Sequence, residues 1–132
     1  MKLEDYFKIW GTYELVDGVY NVFGNAHLIK DVDKLPFKFG KVSGIFKCSY
    51  NNLTSLEGCP NFVGGNFHCE SNNLTSLKGC PSWVGGNFLC MYNKLTSIEG
   101  FPKIINGATL CDEELESTKE YRQYLILKKL KK

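Results

Sequence analysis

A 21-residue repeat organises the middle of the chain. Residues 51–60 return as residues 72–81 with a single substitution, and residues 63–67 return unchanged as residues 84–88. The step is 21 residues in both cases. One repeat of this length cannot bury its own apolar side chains, so neighbouring repeats must stack as the rungs of a ladder. The period therefore predicts a solenoid with one rung per repeat.

Within each repeat, alternating residues indicate a short strand. Phe67 and Cys69 are two residues apart and point inward on an extended chain, whereas Asn66, His68 and Glu70 are expected to point outward. Four cysteines share the inward position: Cys48, Cys69, Cys90 and Cys111. We therefore expect reduced, buried thiols that behave as small apolar side chains, without a disulfide, metal or cofactor.

The residues around the strand predict how each rung closes. The pair Gly64-Gly65 recurs in register and is expected to bend the backbone into the strand rather than to bind phosphate. After the strand, Asn72 is expected to turn the chain, its amide bonding the open backbone groups of the bend. Leu74 and Leu77 then return to the core.

The segment before the repeats predicts an N-terminal cap. Leu3, Phe7 and Trp10 have helical spacing, which favours a short helix ending at Gly11. Residues 12–16 and 19–23 flank Asp17-Gly18, the signature of a two-residue β-hairpin. We assign residues 1–23 to this cap and residues 24–112 to five rungs.

Residues 113–132 are expected to form a C-terminal helix. Residues 117–120 have the pattern of a capping box, and the helix is predicted to run to about Leu130. Its apolar residues fall on two sides, namely Tyr121, Tyr124 and Leu125 on one and Ile126, Leu127 and Leu130 on the other. One side can cover the end of the solenoid, and the other can contact a second copy or a partner.

The pattern Gly64-x-x-Phe67-x-Cys69-x-x-Asn72-x-Leu74, the decapeptide and the hairpin resemble the short leucine-rich-repeat proteins encoded by tailed bacteriophages. The resemblance covers about residues 12–112. It implies an α/β repeat fold, a mostly β leucine-rich-repeat solenoid with a parallel sheet on its concave face, capped by helix and hairpin at one end and by a helix at the other. It also implies synthesis inside an infected bacterium, and it says little about activity.

Composition and charge narrow the functional classes. The chain has 132 residues, as expected for one domain, and a net charge of only +2, which disfavours a nucleic-acid partner. It lacks a run of 18 apolar residues, and the acidic residues near its start are unlike a signal peptide, so we expect a cytoplasmic protein without membrane contact. No nucleophile elbow, phosphate loop or dinucleotide motif is present, and we predict no enzyme activity and no catalytic residues.

The outward positions of the later rungs are apolar where a solvent-facing sheet should be polar. Contiguous exposed apolar surface commonly marks an interface. The predicted partner-binding residues are Leu89, Met91, Tyr92, Leu110, Tyr50 and His68. The leading hypothesis is a non-enzymatic protein–protein interaction module that modulates a host or phage protein. Two alternatives remain open: a self-assembling protein that dimerises through the C-terminal helix, and a helix that folds over this patch.

Overall fold

The computed structural model describes residues 1–130 and shows a mostly β, parallel-stranded solenoid of about 4 turns. Its strands are β1 (Phe7–Val16), β2 (Val19–Leu28), β3 (Lys38–Val42), β4 (Phe46–Lys47), β5 (Phe62–Val63), β6 (Phe67–His68), β7 (Trp83–Val84), β8 (Phe88–Leu89), β9 (Ile104–Ile105) and β10 (Thr109–Leu110). Its helices are α1 (Leu3–Tyr6), α2 (Glu113–Glu116) and α3 (Lys119–Leu130). Among the described residues, no helix is long and apolar enough to cross a membrane.

Each rung contributes two short strands, where the sequence predicts one. The first ladder runs in parallel through β2, β4, β6, β8 and β10, and the second runs through β2, β3, β5, β7 and β9. β2 belongs to both ladders, because Ala26 and His27 pair with β4 while its first residues pair with β3. Most second-ladder strands have only two residues, which is too short to show an alternating pattern in the sequence.

Stacked glycines form the corner between the two ladders. The N–H of Gly65 donates to the carbonyl of Gly44 at 2.8 Å, and that of Gly86 donates to Gly65 at 2.9 Å. A Cβ added to Gly64 would lie 2.1 Å from the carbonyl oxygen of Ser43. The rungs approach too closely here for any side chain, which explains why the predicted bend requires glycine.

The inward positions predicted from the repeat are confirmed. Phe46, Phe67 and Phe88 are each 0% exposed, and their rings stack along the solenoid at centroid distances of 5.9 and 5.8 Å. The cysteines that directly follow these strands, Cys48, Cys69 and Cys90, are also fully buried. Each buried phenylalanine contributes about 1.5–3 kcal/mol of apolar burial.

The predicted role of the asparagine turn is confirmed as well. The Asn72 Oδ1 accepts a hydrogen bond from the Leu53 N–H at 3.0 Å. Its Nδ2 donates to the carbonyls of Cys48 and Cys69 at 3.0 and 3.1 Å. Asn93 makes the equivalent bonds one rung later. Each of these amides therefore joins its own turn to the backbone of the preceding rung.

The predicted helix ending at Gly11 is wrong. α1 stops at Tyr6, and the chain continues as β1, which pairs along its whole length with β2. Helical spacing of apolar residues was outweighed by ten backbone pairs to a neighbouring strand. The hairpin itself is confirmed, since Asp17 and Gly18 have φ of 50° and 78°. It extends to Leu28, so the first predicted rung is part of the hairpin.

The hairpin bends with the solenoid at a pair of facing glycines. Gly11 pairs with Gly24, and both have positive φ, 125° and 145°. A Cβ on Gly11 would meet the carbonyl oxygen of Phe23 at 2.1 Å. The N–H of Gly44 donates to the carbonyl of Gly24 at 2.9 Å, so this bend continues the glycine corner of the later rungs.

The C-terminal helix starts later than predicted. Thr118, not Ser117, caps it, its Oγ1 accepting from the Tyr121 N–H at 3.2 Å. The short helix α2 was not predicted, and it buries Leu115 at the end of the core. Residues 131 and 132, the last two of the terminal lysine run, lie outside the described residues.

α3 has the two apolar sides that its sequence predicts. Tyr121 and Tyr124 pack edge-on against Phe101, with ring centroids 6.0 and 5.1 Å away. On the other side, Ile126 and Leu127 are 58% and 57% exposed. One side of the helix therefore packs against Phe101, and the other side is open to solvent.

Candidate interaction surface

The six predicted partner-binding residues lie on or directly after the outward side of the first ladder. His68 pairs with Leu89, and Leu89 pairs with Leu110, so these three form one column across neighbouring rungs. Tyr92 and Leu110 are 68% and 42% exposed, while Leu89, Met91 and His68 are partly buried. The name "column patch" is used below for Leu89, Met91, Tyr92 and Leu110.

Tyr50 stands apart from the column patch. It is 71% exposed and lies two rungs from Tyr92, about 10 Å by the spacing of strands. Both tyrosines have positive φ, 54° and 58°, as does Ser71 between them at 58°. The bend after each strand therefore holds these residues in a left-handed conformation, which projects two tyrosines from the edge of the sheet.

α3 leaves the exposed part of the column patch uncovered. The Tyr124 hydroxyl donates to the Pro102 carbonyl at 3.2 Å. The Lys128 Nζ donates to the Gly107 carbonyl at 3.3 Å. Tyr92 and Leu110 remain exposed, so the alternative in which the helix folds over them is wrong.

Glu70, which the alternation predicts to face solvent, is buried instead, as is Ser49 at the equivalent position one rung earlier. Ser49 and Glu70 are 6% and 7% exposed. The Nδ1 of His68 lies 3.3 Å from the Glu70 Oε2. Burial alone would raise the pKa of Glu70, but the hydrogen bond and charge of His68 outweigh it and hold that pKa below its ordinary value. Glu70 thus supplies a fixed negative charge beside the column patch.

The second histidine sits at the hairpin. His27 packs edge-on against Trp10 at 4.5 Å between ring centroids, and Lys47 lies between His27 and His68 in the ladder. Burial, followed by the charge of Lys47, lowers the pKa of His27. Within residues 1–130, no three His, Cys, Asp or Glu side chains cluster closely enough to hold a metal ion.

A second apolar surface escaped the sequence analysis. Phe62 and Trp83 stack with ring centroids 4.4 Å apart and planes within 4°, on the outward side of the second ladder. Ile104 continues this column at 47% exposure. The signal was present, since these three residues are 21 apart, but their segment was expected to be irregular. The name "aromatic column" is used below for Phe62, Trp83 and Ile104.

The six cysteines are free thiols, and five of them are buried. Cys48 and Cys69 donate to the carbonyls of His68 and Leu89 at 3.3 and 3.4 Å. Cys90 differs, since its Sγ lies 2.7 Å from that of Cys111. Hydrogen bonding to Cys111, followed by burial, raises the pKa of Cys90, and burial raises that of Cys69. Raised pKa values leave little thiolate at neutral pH.

Alkylation of the native protein is therefore expected to be slow. In the denatured protein, the reagent is expected to modify all six cysteines. Intact-mass measurement after each treatment provides the count. Cys80, which is only partly buried, should be modified first in the native protein. Four labelled sites with the loss of two hydrogens would instead indicate a disulfide, for which Cys90 and Cys111 are the closest pair.

In comparisons with known proteins, no family model, no curated protein and no solved structure matches this chain.

Proposed function

We propose that this protein is a non-enzymatic protein–protein interaction module whose partner docks on the column patch. The observation that supports this proposal is the exposed Leu110, paired with Leu89 in the first ladder, together with the exposed Tyr92 in the bend that follows β8. Tyrosine and methionine are enriched in protein interfaces, and a paired sheet loses little conformational freedom when it binds. Tyr50 and His68 lie at the margin.

The repeat also motivates a proposal for the source and setting of the protein. We assign the solenoid to the leucine-rich-repeat type found in tailed bacteriophages, on the strength of the 21-residue spacing and the hairpin that precedes it. In this proposal the protein acts in the cytoplasm of an infected cell and modulates a host or phage protein. The partner presents an apolar surface that meets Tyr92 and Leu110.

The Tyr92→Ala variant is expected to weaken partner binding by about 1–3 kcal/mol with little change in stability, because a rigid, exposed aromatic residue is a typical hot spot. The partner would be captured from bacterial lysate on immobilised protein, identified by mass spectrometry, and its affinity measured by calorimetry. The matched control is Trp83→Ala, which removes an aromatic residue from the aromatic column on the second ladder.

The two variants distinguish the two surfaces. Loss of binding with Tyr92→Ala and retention with Trp83→Ala supports the column patch. The reverse pattern places the interface on the aromatic column and contradicts the assignment of site residues. If no protein is specifically retained by the wild-type chain in repeated captures, the binding proposal itself fails.

Self-assembly through the C-terminal helix is the second candidate. The observation that favours it is the exposed side of α3, where Ile126, Leu127 and Leu130 are 58%, 57% and 75% exposed. The Leu127→Glu variant separates a dimer formed there from one formed elsewhere, because it places a charge in the middle of that side without touching the core.

A further inference from the structure

Strand β1 is an open edge of the sheet. Among the described strands it pairs only with β2. The carbonyl of Tyr6 accepts from the Ile29 N–H at 2.8 Å, and hydrogen-bonded pairs alternate along an antiparallel ladder. The even-numbered residues of β1 therefore bond to β2. The backbone groups of Ile9, Gly11, Tyr13 and Leu15 point to the open edge.

This edge lacks the protection that sheet edges usually carry. Natural proteins shorten such strands, place proline or lysine in them, or cover them. β1 is 10 residues long, contains no proline and has one lysine, and its last seven residues are exposed. Four of its large side chains are open to solvent, namely Trp10, Tyr13, Leu15 and Val16. A strand of this kind is suited to backbone pairing with a second chain.

The sequence of β1 is complementary to itself in one antiparallel register. When Gly11 faces Gly11 of another copy, Lys8 lies opposite Glu14, and Ile9 lies opposite Tyr13. The pairs 9 with 13 and 11 with 11 then join the residues whose backbone groups point outward, so each pair exchanges two hydrogen bonds. A shift of two residues in either direction places Lys8 opposite an uncharged residue, Thr12 or Val16.

The bend of β1 agrees with the same register. Gly11, with φ of 125°, is where β1 turns from the first ladder to the second. The bend divides β1 into two arms, residues 7–10 along the first ladder and residues 12–16 along the second. A two-fold axis through this corner exchanges the two arms. The arm of one copy that follows the first ladder then meets the second-ladder arm of the other copy, and both sheets continue across the contact.

We propose that a second copy of this chain pairs with the first through β1, antiparallel and centred on Gly11, to form a two-fold dimer joined at the hairpin ends. The interface uses the N-terminal end of the solenoid, whereas the column patch lies near the other end. The dimer is therefore independent of the proposed partner binding and presents two copies of the column patch.

Light scattering across a concentration series tests the dimer, and charge reversal tests its register. Lys8→Glu and Glu14→Lys each create two like-charged contacts per dimer and are expected to raise the dimer Kd about tenfold. The double exchange restores opposite charges and is expected to restore the Kd. Both side chains are exposed, and circular dichroism verifies that each variant is folded.

A carbodiimide, which joins an amine to a carboxylate as an amide, identifies the contact directly. In an equal mixture of unlabelled and isotope-labelled chains, a Lys8–Glu14 cross-link that carries both labels can form only between copies, whatever distance the bend at Gly11 leaves between the two residues of one chain. Its detection by mass spectrometry in the dimer band supports the proposal. A monomer at about 100 μM, or a dimer that survives both single reversals, overturns it, and loss with Leu127→Glu alone identifies a dimer through α3 instead.

Discussion

Replacing Phe88 by alanine is expected to lower the free energy of unfolding by about 3–5 kcal/mol. The side chain is 0% exposed and is held between two other rings, with centroid distances of 5.8 Å to Phe67 and 5.6 Å to Phe101. Its removal leaves a cavity that a stacked column of rigid rungs closes poorly. Urea unfolding followed by tryptophan fluorescence measures the change.

Leu89→Ala is the matched control, one residue away and on the opposite side of the same strand. Leu89 is partly exposed, so its truncation should cost less than about 1.5 kcal/mol, well below the effect of Phe88→Ala. A loss as large as that of Phe88→Ala would mean that Leu89 is covered. The interaction surface would then have to be sought on the aromatic column or on the exposed side of α3.

The inward half of the fold was predictable because the repeat samples each position several times. Phe67 and Phe88 are related by 21 residues, and a position that takes the same large apolar residue in successive rungs is a core position. Segments that occur only once in the chain do not allow equivalent positions to be compared. Leu3, Phe7 and Trp10 fit a helix by spacing, but Phe7 and Trp10 are extended because they pair with Leu28 and Asn25 of a strand further along the chain.

The predictions for outward-facing residues failed near the bend that follows each strand of the first ladder. β6 contains only Phe67 and His68, and the chain bends at Ser71, whose φ is 58°. Glu70 therefore lies in a bend under His68, at 7% exposure, rather than on an open sheet. The alternation still holds at Cys69, which is buried as expected, and it fails at Glu70, directly before the left-handed Ser71.

The candidate surfaces, too, were predicted from the sequence only in part. Tyr92 and Leu110 were found because apolar residues at outward positions of the first ladder violate an expectation. The stack of Phe62 and Trp83 was missed because the second ladder was not expected, although its residues share the repeat. The open edge of β1 was missed for a related reason, since a strand expected to begin at residue 12 offers no self-complementary pairing about Gly11.

Asn72→Ala is expected to lower the free energy of unfolding by about 2–4 kcal/mol, because it removes one acceptor and two donors at once. The N–H of Leu53 and the carbonyls of Cys48 and Cys69 would lose their bonds to the Asn72 amide. Asn72 is 7% exposed, so water has little access to replace the amide. Urea unfolding measures the total loss, and hydrogen exchange at the Leu53 N–H reports the local one.

Asn73→Ala and Asn72→Asp separate the possible causes. Asn73 is adjacent and exposed, so its substitution should change stability by no more than about 0.5 kcal/mol. Aspartate keeps the acceptor for Leu53 but faces the two carbonyls with a negative charge, and it should therefore destabilise about as much as alanine. If Asn72→Asp retained wild-type stability, the bonds to Cys48 and Cys69 would be dispensable. The turn would then depend on the left-handed Ser71 rather than on the amide that follows it.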